Sequence, residues 1–261
     1  MESNLWTDLA ALERLARWER AAEQFSPRST GSRRAGPPPP FRARKEFEIQ
    51  AQELPARMVG GDYCDFFFIT RDTLALVIAD VSGKRVPAAL LRGVAKSAVR
   101  ELASSSSPGD TLTRVNRILY EASLGPMFVT IFLGWYHVPS GELSYASAGH
   151  PSPYRIDPRG RIVPFGPATG PILGILDLEA YAVGKERVEV GDRLVFYTDG
   201  VTEARGPGGE FFGHSRLRDL LAKHSHRSAN SLCEAVVRGV DRFQRGQRQD
   251  YATLLVFHRR S

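Results

Sequence analysis

Apolar positions in residues 3–25 recur at helical spacing. Leu5, Leu9, Leu12 and Ala16 form one stripe, with Leu15, Trp18, Ala22 and Phe25 beside it. Glu13, Arg14, Arg17, Glu19, Arg20 and Glu23 fill the other faces. The pattern predicts an amphipathic helix over 1–25, with Ser3 as its N-cap. Such a helix either packs on its own domain or pairs with a second copy. Residues 26–44 break the periodicity with Ser, Gly and Arg and with four consecutive prolines, Pro37 to Pro40. That composition predicts a stiff, extended basic linker. A folded domain then occupies 45–261.

Within the domain the period changes. Phe47, Ile49 and Ala51 alternate with polar residues, as in a half-buried strand. Thr73–Ala79 is a continuous apolar run, as in a strand buried on both faces. Val86–Leu102 and Pro108–Ser123 read as helices, with Pro87 suited to a first turn. Three hairpins are expected. Met127–Val138 and Glu142–Ala148 flank Pro139-Ser140-Gly141. Pro153–Ile156 and Arg161–Pro164 flank Asp157-Pro158-Arg159-Gly160. Tyr181–Val188 and Arg193–Tyr197 flank Glu189-Val190-Gly191-Asp192. Two helices near His214–Lys223 and Ala229–Phe243 and a last strand from Ala252 to about His258 complete the chain. The helices come in pairs, not one after each strand. This argues against a doubly wound parallel sheet and for an α/β sandwich of antiparallel sheets with helices outside.

Composition changes this picture little. The chain has 261 residues, of which 42% are hydrophobic, enough for one large domain with a buried core. Cys64 and Cys233 match no metal-binding or redox spacing, and a reduced, cytoplasmic setting is the simplest expectation. The start lacks the basic and apolar blocks of a signal peptide, and no apolar run approaches the ~20 residues that cross a bilayer. Of the 35 Lys and Arg residues, six lie between Ser26 and Lys45 with no acid among them; the other 29 balance the 29 acids. The net charge of +6 therefore belongs to the linker. It reads as a solvated tether rather than as a nucleic-acid or membrane site.

The chemistry lies in four aspartates, each at the end of an apolar stretch or the start of a Gly-rich turn. They are Asp62 after Gly60-Gly61, Asp80 after Val77-Ile78-Ala79, Asp199 between Thr198 and Gly200, and Asp250 before Tyr251-Ala252-Thr253. Any one of them suits a turn. Four together would repel one another unless cations neutralise them, and an oxygen-only donor set suits Mg²⁺ or Mn²⁺.

These motifs carry a resemblance. Val59–Phe66, Ala79–Lys84 with Pro87–Leu90, Phe128–Thr130, Ala146–Pro151, Tyr197–Ala204 and Asp250–Thr253 are similar, in order and spacing, to those of the metal-dependent serine/threonine phosphatases of type 2C. Within that family they resemble the bacterial SpoIIE/RsbU-like group over about residues 45–258. The resemblance implies two central antiparallel sheets with helices on both outer faces. It implies that Asp62, Asp80, Asp199 and Asp250 ligate two ions, Mn²⁺ or Mg²⁺, with the Val81 carbonyl as a backbone ligand. It further implies that a metal-activated water hydrolyses phosphoserine or phosphothreonine in a regulatory protein of the anti-anti-sigma type.

The sequence also departs from the family. Arg85 stands where many relatives carry Gly, and Tyr251 where many carry a second Asp. Ser82 stands where eukaryotic relatives carry a His that protonates the leaving group. Arg57 has the spacing of an arginine that contacts phosphate in eukaryotic relatives, and Arg85 is a second candidate for substrate. Asp65 either helps position water or is a turn or surface residue. His150 is expected to be structural. The helix from Pro87 follows Asp80 directly, so its movement has a route to a candidate ligand. The N-terminal helix is a candidate for dimerisation or partner docking. The alternative function is a phosphatase-fold module that binds a phosphoprotein without turnover.

Overall fold

Among the described residues of the computed structural model, ten strands form two five-stranded antiparallel sheets. The structure describes residues 44–54, 61–83, 86–105, 107–122, 127–177, 180–246, 248 and 250–261. The expected N-terminal helix, and the linker up to residue 43, lie outside the described residues.

One sheet has the order β1 (Phe47–Leu54), β10 (Ala252–Arg259), β9 (Arg193–Tyr197), β6 (Tyr154–Ile156), β7 (Ile162–Pro164). The other has the order β2 (Tyr63–Phe68), β3 (Thr73–Val81), β4 (Val129–His137), β5 (Glu142–Ala148), β8 (Gly184–Arg187). Five α-helices are described: α1 (Val86–Leu102), α2 (Pro108–Glu121), α3 (Asp199–Thr202), α4 (Gly213–Lys223) and α5 (Ala229–Phe243). Ser107 and Asp110 form a capping box at the start of α2.

The core has three layers. Leu76, Ile78, Phe132 and Tyr136 meet Phe196 and Phe257 between the sheets, with Phe132 and Phe196 ring centroids 5.1 Å apart. Ala95 and Val99 of α1 and Leu112 and Val115 of α2 pack on Val77, Ala79 and Ile131. Leu217 of α4 and Leu232 and Val236 of α5 pack on Val195, Leu254 and Val256. β3 thus sends alternate side chains to the inter-sheet layer and to the helices, which is why its sequence shows no alternation. The expected sandwich, with helices on both outer faces, is the observed one.

Three local expectations change. The third hairpin does not form: β8 pairs with β5 in one sheet and β9 with β10 and β6 in the other. Residues 189–192 do make a tight turn, with Asp192 Oδ2 accepting from Glu189 N at 2.8 Å. That turn hydrogen-bonds to Arg259 instead, through Gly191 N to Arg259 O at 2.8 Å and Arg259 N to Asp192 O at 3.0 Å. The chain is thereby carried from one sheet to the other. β2 is a strand the sequence pattern did not predict. Tyr63 and Phe67 pack on the helical side while Cys64, Phe66 and Phe68 pack between the sheets, so both faces are apolar. β3 runs two residues further than expected, so Asp80 lies within the strand, opposite Thr130 of β4.

Candidate metal centre

The four aspartates reach one place from four different elements. Asp62 immediately precedes β2, and Asp80 is the penultimate residue of β3. Asp199 opens α3 just after β9, and Asp250 lies just before β10. All four line a single cavity of about 430 Å³ at one end of the two sheets, together with Val81 and Glu203.

Two glycines make the convergence possible. A Cβ at Gly61 would collide with the Val81 carbonyl oxygen, so only glycine lets the start of β2 lie against the end of β3. This brings Asp62 beside Asp80. A Cβ at Gly200 would collide with the Tyr251 carbonyl oxygen, so the first turn of α3 likewise lies against the chain at Tyr251. This brings Asp199 beside Asp250.

Asp62 is the most enclosed of the four, at 3% exposure. Its Oδ2 accepts from the Thr198 hydroxyl at 2.5 Å, and the Thr198 oxygen accepts from Thr253 N at 2.9 Å. Thr198 precedes α3 yet does not cap it with its side chain. Its hydroxyl instead ties the β9 and β10 ends of one sheet to the β2 end of the other. On the other side, Arg92 of α1 donates to the Asp62 carbonyl at 3.0 Å.

The carboxyl groups oppose one another. Burial, then the charge of neighbouring Asp80, pushes the Asp62 carboxyl up to about 9, although the Thr198 hydroxyl pulls the other way. Burial raises Asp80 as well, with Asp250 adding to the effect. Burial, then Asp80 and Glu203, pushes Asp199 up to about 6. Asp62 and Asp80 are close enough for each to shift the other, and a cation between them would relieve that repulsion.

The donor set fits a hard divalent ion. Every candidate donor is oxygen, and one is almost fully enclosed. Among the described residues, however, no three such side chains are drawn together tightly enough to chelate an ion. The carboxyls stand on the cavity walls, and ligation would draw them inward.

The other candidates fall elsewhere. Arg57 and Arg85 lie outside the described residues. Asp65 points away from the cavity, into a bidentate pair with Arg100 of α1 at 2.6 and 2.7 Å, with Lys96 4.0 Å away. The Arg100 guanidinium also covers the Phe67 ring at 4.6 Å. Asp65 therefore fastens β2 to α1. Ser82 lines the cavity, and its oxygen accepts from Phe128 N at 2.7 Å. His150 is 3% exposed and does not line the cavity, but its Nδ1 bonds the hydroxyl of Thr130, which does. Its Nε2 is buried without a hydrogen-bond partner among the described residues, and burial pushes the imidazole down to about 3. It is a neutral buttress, as its Gly-His-Pro setting suggested.

Two charged cavity residues had no role in the sequence reading. Glu203 follows Asp199 by four positions, one helical turn, and that spacing was the available signal. Arg205 lines the cavity from a small hairpin marked by Gly206-Pro207-Gly208-Gly209. No described helix is long and apolar enough to cross a membrane.

Comparison with known proteins finds relatives of the whole domain. The family model for stage II sporulation protein E (SpoIIE) matches residues 70–260, well over half of the chain. Phosphoserine phosphatase RsbU of Bacillus subtilis is 31% identical over 82% of this chain and 63% of its own length. Protein IcfG of Synechocystis is 33% identical over 68% of this chain and 32% of its own length. The chain thus spans less than two thirds of either curated relative. A crystal structure of the RsbU and RsbW domains of Rv1364c from Mycobacterium tuberculosis superposes with a TM-score of 0.72. It is 29% identical, over 82% of this chain and 60% of that one.

Proposed function

This chain belongs to the SpoIIE family, within the PP2C-type SpoIIE/RsbU-like group, and from that premise we propose that it hydrolyses phosphoserine or phosphothreonine in a regulatory protein. The observation that carries the proposal is the meeting of Asp62, Asp80, Asp199 and Asp250 in one cavity. Those four residues, with the Val81 carbonyl, would hold two divalent cations, Mn²⁺ or Mg²⁺. The bound ions supply Lewis acidity toward phosphoryl oxygens and water of lowered pKa.

The chain's own residues do the rest. Asp62 and Asp80, side by side at the ends of two neighbouring strands, would share the charge of a cation held between them. Thr198 holds Asp62 in one rotamer, so the ligand set is ordered before substrate arrives. His150 holds the Thr130 hydroxyl at the cavity wall. The substrate, by resemblance to the RsbU-like group, is a small phosphorylated regulator of the anti-anti-sigma type.

The test is phosphate release from a phosphoserine protein or peptide. Release in Mn²⁺ or Mg²⁺ that stops on chelation supports the proposal. Release that persists after exhaustive chelation, or survives both Asp80→Asn and Asp199→Asn, rejects it.

A further inference from the structure

We propose that Arg205 is a substrate-binding residue that grips the phosphoryl group in the acidic cavity; this inference rests on the phosphatase reading. Among the described residues, Arg205 is the one basic side chain lining a cavity that also presents Asp62, Asp80, Asp199, Glu203 and Asp250. A guanidinium in such company would be expected to pair with a carboxylate. Arg205 pairs with none of them. Its contacts are a long hydrogen bond to Gly209 O, at 3.4 Å, and the face of the Phe211 ring, 4.6 Å away. The side chain is exposed, and most of its five N–H donors face no protein acceptor.

The local fold keeps it there. Arg205 and Phe211 form an antiparallel bridge, and Phe212 N donates to Ala204 O at 2.8 Å. Gly206 N donates to Glu210 O at 2.8 Å inside the turn. The root of the hairpin is fixed to the body of the domain. Phe212 is buried edge-on against Phe243, and Arg216 of α4 donates to both the Phe211 and Phe212 carbonyls at 3.0 Å. The anchored hairpin therefore presents a guanidinium braced on an aromatic face. A planar fork held in this way pays little entropy to bind a tetrahedral oxyanion, and it matches phosphate with two parallel hydrogen bonds.

Charge separation completes the argument. The cavity's carboxylates would repel a phosphoryl group until cations occupy them, and a guanidinium in the same lining supplies a fixed positive group for its oxygens. An arginine that neutralised one of the carboxylates would compete with the metal. Turned onto Phe211, Arg205 does not compete for them. Phe211 itself is 46% exposed beside the guanidinium, so an apolar residue flanking the phosphorylated one has a surface to lie on.

The test compares wild type with Arg205→Ala and Arg205→Lys in saturating Mn²⁺, with inorganic phosphate as the calorimetric probe. Phosphate is not turned over, so the comparison reads Arg205 whether or not the protein hydrolyses anything. Loss of about tenfold or more in phosphate affinity is expected for Ala, with Lys intermediate because the charge stays and the fork is lost. The KM for both p-nitrophenyl phosphate and a phosphoserine peptide should rise with it, while kcat changes less. Thermal melts of the two variants should match wild type, since the side chain is exposed. Phosphate affinity within about twofold of wild type in Arg205→Ala would overturn the proposal. So would a KM effect confined to the peptide, or a failure of manganese-loaded wild type to bind phosphate. A wild type that binds phosphate but hydrolyses neither substrate would defeat the phosphatase reading instead, and Arg205 would then stand or fall on its phosphate affinity.

Discussion

The Thr198 hydroxyl donates to Asp62 Oδ2 at 2.5 Å, joining residues 136 positions apart at the point where the two sheets come together. The same oxygen accepts from Thr253 N, so one hydroxyl serves both the carboxylate and the backbone of β10. Thr198→Val keeps the shape and removes the bond. It should cost about 1–3 kcal/mol for the buried partners left unpaired, and it should weaken Mn²⁺ binding. Thr198→Ser should restore both. Denaturant melts and manganese titration of the two variants check this; a valine variant that binds metal like wild type contradicts it.

The pH dependence of the metal-free protein follows from the raised carboxyls. An Asp whose pKa in the fold lies above its ordinary 3.8 holds a proton more tightly folded than unfolded. Stability should therefore fall as pH rises from about 4 toward about 9 through Asp62, with the Asp199 share lost by about 6. Asp62→Asn removes the larger part. Without metal at pH 8 it should melt above wild type, and Mn²⁺ should no longer raise its melting temperature as far. A metal-free wild type whose melting temperature is flat from pH 5 to about pH 8.5 would be against this.

Gly200→Ala tests the close approach of α3 to Tyr251. A methyl group there meets the Tyr251 carbonyl oxygen, and the neighbouring backbone has to move. Destabilisation of about 1–3 kcal/mol is expected, with phosphate release lost because Asp199 and Asp250 are pushed apart. Melting and turnover measured on one preparation would show both effects. A variant as active as wild type would mean that the contact does not set the site.

Much of this arrangement was legible in the chain before any coordinates. Short Gly-Asp motifs at the ends of apolar runs announced the four carboxylates, because a strand end and a tight turn leave local marks. The fold class followed from paired helices and two true hairpins. What escaped was non-local. β2 hid because Tyr63 and Phe67 face helices while Phe66 and Phe68 face the other sheet, leaving no alternation to read. The turn at 189–192 looked like a hairpin because its partner, Arg259, lies far along the chain. Asp65 could not be distinguished from a site residue until α1 brought Arg100 to it across 35 positions.

Asp65→Asn separates those two roles for Asp65. Its partner Arg100 is 39% exposed, so the lost pair should cost only about 1 kcal/mol or less. Phosphate release should stay close to wild type, with any loss recovered by supporting the fold at lower temperature. A large fall in kcat at unchanged stability would return Asp65 to the chemistry.

Calorimetric titration of the metal-free chain with Mn²⁺, repeated on Asp80→Asn and Asp199→Asn, tests most directly whether the acidic cavity is a binuclear site. Two ions per chain are expected for wild type, with at least one site lost in each variant while the circular dichroism spectrum stays unchanged. A folded wild type that takes up no Mn²⁺, or variants that bind it as well as wild type, would contradict the account.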